Sequence, residues 1–227
     1  LNALLLGQKE NYHLVDTIVS TEYLNYNDQK FSKSKKIGIT ALEALDIYPI
    51  DSLRYHLVSN GPEKKDTNFT PEDFIATHNG ELLNKFGNLV NRTLNFKDLE
   101  EIPEGKIDSE IENLIKETYK KAEENIENLE FKAAVQNIMD LVEAGNKYYD
   151  TNKPWVAKKE NIEEFNNIIY TCSVIIANLS NLFEPIMPMA SQKIREYLNI
   201  QNKSWEYITI PAGLKIDKIE PLFERMK

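Results

Sequence analysis

The pattern of hydrophobic and polar residues changes character at about Thr70. Before this residue, β-branched and aromatic side chains cluster in two short runs, 13–19 and 21–26, which predict two short strands. The sequences ALEAL and DSLRYHLV then predict two short helices, which are separated by Pro49 and followed by Asn-Gly-Pro at 60–62. The first part of the chain is therefore predicted to be a small mixed α/β unit.

From Thr70 onward, apolar residues recur with the 3.6-residue period of an α-helix. Thr70 can cap a helix N-terminus, Pro71 suits the first helical position, and Asp73 stands three residues after the cap. Further apolar stripes predict helices that begin near residues 108 and 131 and that cover about 162–183 and 189–198. Because each helix carries a continuous apolar stripe, we expect this bundle to fold alone.

These patterns predict a mainly α fold with a small α/β unit in front of a helical bundle. We expect the α/β unit over residues 1–69 and the bundle over 70–200. Residues 201–227 are irregular, but they contain too many apolar side chains for a free tail. The tail is therefore predicted to pack back on the body of the protein.

The composition is that of a globular protein, with 41% hydrophobic and 28% charged residues of mixed sign. The chain contains no run of about 18 apolar residues and no recognisable signal peptide, so no membrane association is expected. Its single cysteine, Cys172, excludes an internal disulfide and favours a reducing compartment, so we expect a cytoplasmic protein. The chain begins without methionine on a sequence typical of a helix end, and we expect it to be a piece of a longer protein.

The net charge of −9 argues against nonspecific binding to nucleic acid, and we expect no DNA partner. Recognition of a nucleic acid would have to rely on a few placed groups. One loop, QKFSKSKKIGIT at 29–40, nevertheless concentrates cations. Its lysines are Lys30, Lys33, Lys35 and Lys36. Such a cluster suits phosphate, although a merely solvated loop is the alternative.

Within this loop, the sequence KFSKS at 30–34 resembles the KMSKS loop of class I aminoacyl-tRNA synthetases. In that family the loop closes over ATP, and its second lysine contacts the triphosphate. The resemblance implies that Lys30 and Lys33 are catalytic and that Lys33 binds ATP. A cation near developing phosphate charge lowers the reaction barrier without covalent chemistry. The other positions of the motif are Phe31, where the family usually has methionine, Ser32 and Ser34.

The stretch NKFGNLVNRTLNF at 84–96 places amides and one guanidinium opposite its apolar positions. The members of this polar face are Asn84, Asn88, Asn91, Arg92 and Asn95. Amides and guanidinium groups can read base edges, although an ordinary solvated face is the alternative. The stretch resembles the anticodon-reading helix of methionyl-tRNA synthetases. The resemblance implies that Asn88 and Arg92, one helical turn apart, contact the anticodon.

The stretch NKYYDTNKPWVAKK at 146–159 places Trp155 after Pro154, in a predicted connection between two helices. It resembles an element of methionyl-tRNA synthetases whose tryptophan stacks on an anticodon base, a contact of roughly 1–3 kcal/mol. The neighbouring lysines suit the RNA backbone. These candidate phosphate contacts are Lys153, Lys158 and Lys159. Trp155 could instead fill the protein core.

The three histidines and the cysteine have no metal-ligand spacing, so we expect them to be structural and expect no metal site. These residues are His13, His56, His78 and Cys172.

The resemblance covers essentially the whole chain and implies the C-terminal part of a methionine–tRNA ligase. Such a ligase joins methionine to its tRNA with ATP and Mg²⁺, and its HIGH motif would lie upstream of Leu1. This part is then expected to recognise the anticodon loop of methionine tRNA, to bind no cofactor of its own and to be inactive alone. The alternative is a free-standing helical module that binds tRNA or a protein without catalysis. The upstream reading frame would distinguish the two.

Overall fold

The computed structural model describes residues 16–32, 34–201 and 204–227. A three-stranded sheet lies in the first part, in the order β2-β1-β3. Strand β1 (Leu24–Tyr26) pairs antiparallel with β2 (Gln29–Lys30) and parallel with β3 (Thr67–Phe69). Asn27 and Asp28 join β1 to β2 with φ angles of 47° and 60°, as a type I′ hairpin turn requires.

The strand predicted over 13–19 does not form in its described part, residues 16–19, which are exposed and irregular. A strand needs a hydrogen-bonded partner, and the described part of this segment does not join the sheet, which consists of Leu24–Tyr26, Gln29–Lys30 and Thr67–Phe69. The prediction over 21–26 is correct only for its second half, where β1 begins at Leu24. The predicted strand residues 13–15 lie outside the described residues.

Helices α1 (Ala41–Ile47) and α2 (Ile50–Ser59) form as predicted and lie between β2 and β3 in the chain. Helix α1 begins with a capping box, in which Thr40 accepts from the Glu43 amide and the Glu43 carboxylate accepts from the Thr40 amide. A small core lies between these helices and the sheet. Its buried residues are Ala44, Tyr48, Leu53, Phe69 and Phe74. Since Phe74 belongs to the next helix, the small unit packs directly on the bundle.

The bundle begins with a long continuous helix that has three sections. These are α3 (Pro71–Thr77), a π-helical section (His78–Gly87) and α4 (Asn88–Leu94). Its predicted start is confirmed, because the Thr70 hydroxyl accepts from the Asp73 amide at 3.0 Å. The π-helical section was not predicted. At its end the Asn88 N–H donates a hydrogen bond to the Leu83 carbonyl, five residues earlier.

Five further helices follow in the described chain, and all of them except α7 were predicted. They are α5 (Ser109–Glu127), α6 (Phe131–Asn152), α7 (Pro154–Glu160), α8 (Ile162–Leu182) and α9 (Pro188–Tyr197). Helix α8 is the central one, since every residue from 171 to 182 is buried. The prediction of a mainly α fold with a small α/β unit is confirmed. Across the described ranges, no helix is both long and apolar enough to cross a bilayer.

The C-terminal segment contributes to the core of the bundle. Its buried residues are Ile208, Ile210, Ile216, Ile219 and Phe223. Asn178 of α8 binds the backbone of Ile208 in both directions, at 2.8 and 2.9 Å. Asn95, which follows α4, binds the backbone of Ile219 in both directions at 3.1 Å. The segment is therefore held by side chains of the helices as well as by apolar contact.

Candidate nucleic-acid interface

Helix α4 buries Leu89, Val90 and Leu94 in the core and turns Asn88 and Asn91 to solvent. This alternation follows from the apolar positions of its sequence, which lie on one side of the helix. Asn95, the last amide of the polar face, is bound to Ile219. The polar face therefore divides into amides that remain exposed and one that fastens the C-terminal segment.

Arg92 of α4 points towards α6 and is held there by three groups. Its Nη1 donates to the Asp150 carboxylate at 2.6 Å, and its Nη2 donates to the Asn146 carbonyl at 2.7 Å. Its Cζ lies 4.1 Å from the centre of the Tyr149 ring. The side chain is 19% exposed, and its Nε–H has no partner within the described part of the chain. The guanidinium is thus fixed in place but still reachable from solvent.

Tyr149 lies between Arg92 and Trp155. Its hydroxyl donates to the Arg92 carbonyl at 3.0 Å, and its ring centre is 6.1 Å from that of Trp155, with the planes at 44°. Burial raises the pKa of Tyr149 to about 12, partly opposed by the Arg92 charge. The hydroxyl therefore keeps its proton and acts as a donor near neutral pH.

Trp155 stands in the first turn of α7, directly after Pro154 at the helix start. The sequence interpretation placed it in a connection between helices, and this is corrected: the connection is reduced to Lys153, whose φ of 45° turns the chain between α6 and α7. Pro154 suits the first helical position, which is why a short helix can begin there. With 47% of its surface exposed, Trp155 does not fill the core. We call Asn88, Arg92 and Trp155 the candidate surface.

The three lysines proposed for phosphate contact differ in their surroundings. Lys153 and Lys159 are exposed. Lys158 instead donates to the Lys97 carbonyl at 2.6 Å and lies 3.7 Å from the Asp98 carboxylate. Its ammonium also lies over two aromatic rings, at 5.2 and 5.6 Å. Lys158 therefore joins α7 to the segment after α4, and the two exposed lysines are the stronger candidates for phosphate.

The lysine-rich loop is closed by backbone hydrogen bonds between Ser32 and Ile37, at 3.0 and 3.1 Å. The Ser32 and Ser34 hydroxyls lie 3.2 Å apart, and the Lys30 ammonium lies 4.7 Å from the Tyr23 ring centre. Phe31 covers Gly38, whose φ of 101° and lack of room for a Cβ atom require glycine. Lys33, the lysine expected to meet ATP, lies outside the described residues.

Two of the histidines and the cysteine lie in the protein interior. The His78 ring binds Ser52 through Nδ1 at 2.8 Å and donates from Nε2 to the Glu224 carbonyl at 2.7 Å. His56 is buried near Thr77, and Cys172 is buried in α8, where burial raises the pKa of its thiol to about 12. Within the described residues, no group of three or more His, Cys, Asp or Glu side chains could hold a metal ion. His13 lies outside those residues.

The sequence interpretation missed Asn146, Tyr149 and Asp150, which surround the Arg92 guanidinium. A signal was available, because these residues follow the i, i+3, i+4 spacing of one helix face. Nothing in that spacing, however, indicates that the face turns towards Arg92.

Comparisons with known proteins identify the family to which the chain belongs. Residues 1–94 match a family model for class I tRNA synthetases (M), and residues 101–227 match the anticodon binding domain of methionyl tRNA ligase. Methionine–tRNA ligases of Bacillus anthracis and Bacillus cereus are 41% identical over 228 residues, which cover 99% of this chain. The chain spans only 41% of the length of these curated relatives.

Solved structures with the same fold include two of methionyl-tRNA synthetase from Mycobacterium tuberculosis. The ligand-free form has a TM-score of 0.84 at 18% identity and covers 98% of this chain and 46% of its own. The complex with methionyl-adenylate has a TM-score of 0.84 at 20% identity, with coverages of 97% and 46%. At these identities, the similarity concerns the fold alone.

Proposed function

Because this chain belongs to the methionyl-tRNA ligase family, we propose that its helical bundle reads the anticodon loop of methionine tRNA. The observation that carries the proposal is the contact of Tyr149 with both Arg92 and Trp155, which joins α4 and α7 in one surface. Asn88, one turn before Arg92, adds an exposed amide to the same helix.

The chemistry of the candidate surface suits unstacked RNA bases. Trp155 offers an exposed ring on which one base can stack, while Arg92 and Asn88 offer donors and an acceptor for base edges. Lys153 and Lys159 are exposed, Lys159 lies one helical turn after Trp155, and both are cations that can contact the RNA backbone. An acidic chain can bind RNA in this way, because few phosphate contacts are needed when stacking and base-edge hydrogen bonds supply the specificity.

A binding titration with an RNA stem-loop tests this proposal. We expect Trp155→Ala to weaken binding of a CAU anticodon loop roughly ten- to hundredfold, which corresponds to about 1–3 kcal/mol. Phe131→Ala is the matched control, since Phe131 is also an exposed aromatic residue but lies at the opposite end of α6. Lys159→Ala should weaken binding of a CAU loop and of a one-base variant equally. Unchanged binding by a folded Trp155→Ala protein would refute the proposal.

We also propose that the lysine-rich loop serves ATP-dependent aminoacylation in the whole ligase, in the cytoplasm. Methionine and ATP with Mg²⁺ would be substrates of that whole protein, and this chain would bind no cofactor of its own. The support is the KFSKS sequence together with the family match over residues 1–94. Lys33 would stabilise the negative charge that develops on the leaving pyrophosphate, and Lys30 would assist it.

Adenylation kinetics test the role of Lys33. In a complete ligase that contains this sequence, Lys33→Ala should lower the adenylation rate by roughly one to three orders of magnitude at nearly constant KM for methionine. Lys35→Ala, in the same loop, is the control. A raised KM at constant turnover would contradict a transition-state role. This chain alone should show no methionine-dependent ATP–pyrophosphate exchange.

A further inference from the structure

We propose that Tyr149 is a positioning residue that holds Arg92 and Trp155 in one fixed orientation for RNA recognition. This inference rests on the proposed function, because it explains how the candidate surface is kept ready to bind. Tyr149 itself is only 5% exposed, so it packs against the two ligand-facing side chains from the protein interior and does not contact RNA.

The first step is the position of Tyr149 between two elements. It lies near the end of α6, whereas Arg92 lies on α4 and Trp155 on α7. Its ring face lies against the Arg92 guanidinium at 4.1 Å, and its ring centre is 6.1 Å from that of Trp155. Its hydroxyl donates to the Arg92 backbone carbonyl at 3.0 Å, so it fixes the main chain as well as the side chain.

The second step is the state in which Arg92 is held. A guanidinium has five N–H donors. One N–H of Nη1 binds the Asp150 carboxylate and one N–H of Nη2 binds the Asn146 carbonyl, which leaves one further N–H on each of these two nitrogens, while the Nε–H is buried and has no partner in the described chain. The Tyr149 ring covers one face of the guanidinium plane, and stacking of this kind leaves the in-plane donors available. Arg92 is thus oriented before RNA arrives, with donors still free.

The third step is the consequence for binding. A free arginine side chain has many rotamers, and a ligand that must order it loses affinity. An arginine already fixed by a buried ring avoids this loss, and the orientation of its donors stays the same for every RNA that approaches. Loss of the ring should therefore reduce discrimination between anticodons in addition to affinity.

A purely structural role is the competing explanation, since Tyr149 also belongs to a core cluster with Phe165, Ile168 and Cys172. The substitutions must therefore separate packing from positioning. Tyr149→Phe keeps the ring and loses only the hydroxyl. Tyr149→Leu keeps an apolar side chain in the core but removes the ring beneath Arg92. Tyr148→Leu is the control, because the neighbouring Tyr148 is partly buried in the same core.

The experiment measures binding of the 227-residue chain to RNA stem-loops with a CAU loop or a one-base variant, at fixed salt. We expect Tyr149→Leu to weaken binding of the CAU loop about five- to tenfold and to shrink its preference over the variant loop. Tyr149→Phe should retain most of that preference. Tyr148→Leu should lower the thermal midpoint without changing the preference.

A double-mutant cycle separates the two explanations, because a purely structural role of Tyr149 predicts no coupling with Arg92 in RNA binding. If Tyr149 acts partly through Arg92, the loss of binding in the Arg92→Ala, Tyr149→Leu double mutant should be smaller than the sum of the two single losses, and the part that remains should come from Trp155. Additive losses, or full discrimination by a folded Tyr149→Leu protein, would overturn the inference while leaving the proposed function intact. If Arg92→Ala and Trp155→Ala both bind the two loops normally, the proposed function itself fails. Should Tyr149→Leu not fold, Tyr149→Met, which is also flexible and ringless, takes its place with the same expectations.

Discussion

His56 is a buried ring whose charged form the fold disfavours. It is 3% exposed and packs edge-on against Phe69 and Phe74 at 5.2 and 5.6 Å. Its Nδ1 lies 3.3 Å from the Thr77 hydroxyl, and its Nε2 has no partner in the described chain. Burial lowers its pKa below 6.5, and the nearby carboxylates of Asp73 and Glu81 only partly offset this effect.

The lowered pKa predicts how stability depends on pH. Below about pH 6.5 the unfolded chain takes up a proton at His56 that the folded chain resists, so the unfolding free energy decreases as the pH falls. Above that pH His56 is neutral in both the folded and the unfolded chain, so it no longer reduces the unfolding free energy. Urea unfolding at pH 7 and pH 5 measures how much unfolding free energy the protein loses. The His56→Asn variant, whose side chain cannot titrate, should lose less unfolding free energy between these two pH values. Equal losses in the two proteins would contradict the prediction.

At the scale of elements, Gly145 of α6 lies against side chains of both α4 and α8. A Cβ atom there would lie 2.8 Å from Leu89 Cδ2 and 3.4 Å from two atoms of Ile175. Leu89 and Ile175 are fully buried, so neither side chain can move aside into solvent. The glycine therefore sets the distance between helices, which explains why α6 contains a residue that weakens it as an isolated helix.

Two glycine substitutions test this packing. Alanine favours a helix over glycine by about 0.5–1 kcal/mol, whereas overpacking a core costs about 1–3 kcal/mol. Gly145→Ala should therefore lower the unfolding free energy by about 1–2 kcal/mol. Gly80→Ala, where nothing lies within 4 Å of the new methyl group, should raise it by about 0.5–1 kcal/mol. Stabilisation by both substitutions would show that the helices at Gly145 can move apart.

The π-helical section affects the candidate surface at the same scale. Over His78–Gly87 the backbone hydrogen bonds span five residues rather than the four of an α-helix, and so this section rotates α4 relative to α3. The apolar positions Leu82, Phe86 and Leu89 fit either helix type, which is why the sequence pattern did not predict the change. The direction in which Asn88 and Arg92 point depends on this section.

At the scale of the whole molecule, the C-terminal segment supplies part of the core of the bundle. Its five buried apolar side chains contribute about 1.5–3 kcal/mol each, or roughly 8–15 kcal/mol together. The net stability of a domain is of the same size, about 5–15 kcal/mol. The helices up to residue 198 should therefore not fold alone, which revises the expectation drawn from their apolar stripes.

Truncation tests this dependence. A chain that ends at residue 200 should lose its cooperative thermal transition in circular dichroism and should bind a hydrophobic dye through its exposed core. Phe223→Ala, which removes one of the five side chains, should keep a cooperative transition but cost about 3–5 kcal/mol. A sharp, native-like transition in the truncated chain would show that the helices form a complete core without the segment.

The sequence alone determined where most helices begin and end, because the relevant energies are local. The Thr70 hydroxyl caps its own helix, Asp108 caps α5, and Pro188 stands at the start of α9, within one residue of the predicted start. The sequence alone also determined which face of each helix is buried, because apolar residues that recur with the 3.6-residue period lie on one face. The domain limits at residues 69 and 200 stay predictions.

Only the tertiary structure decided which distant residues meet. The pairing of β1 with β3, the fastening of Asn95 to Ile219 and the position of Tyr149 beneath Arg92 join segments that lie far apart in the chain. No local pattern encodes such pairs, because they depend on how whole helices approach one another. Asn88, Asn91 and Asn95 look equivalent in the sequence, yet the fold leaves two exposed and binds the third to the C-terminal segment. Their different roles follow from packing. Packing determines which amides are hydrogen-bonded within the protein and which stay available to a ligand.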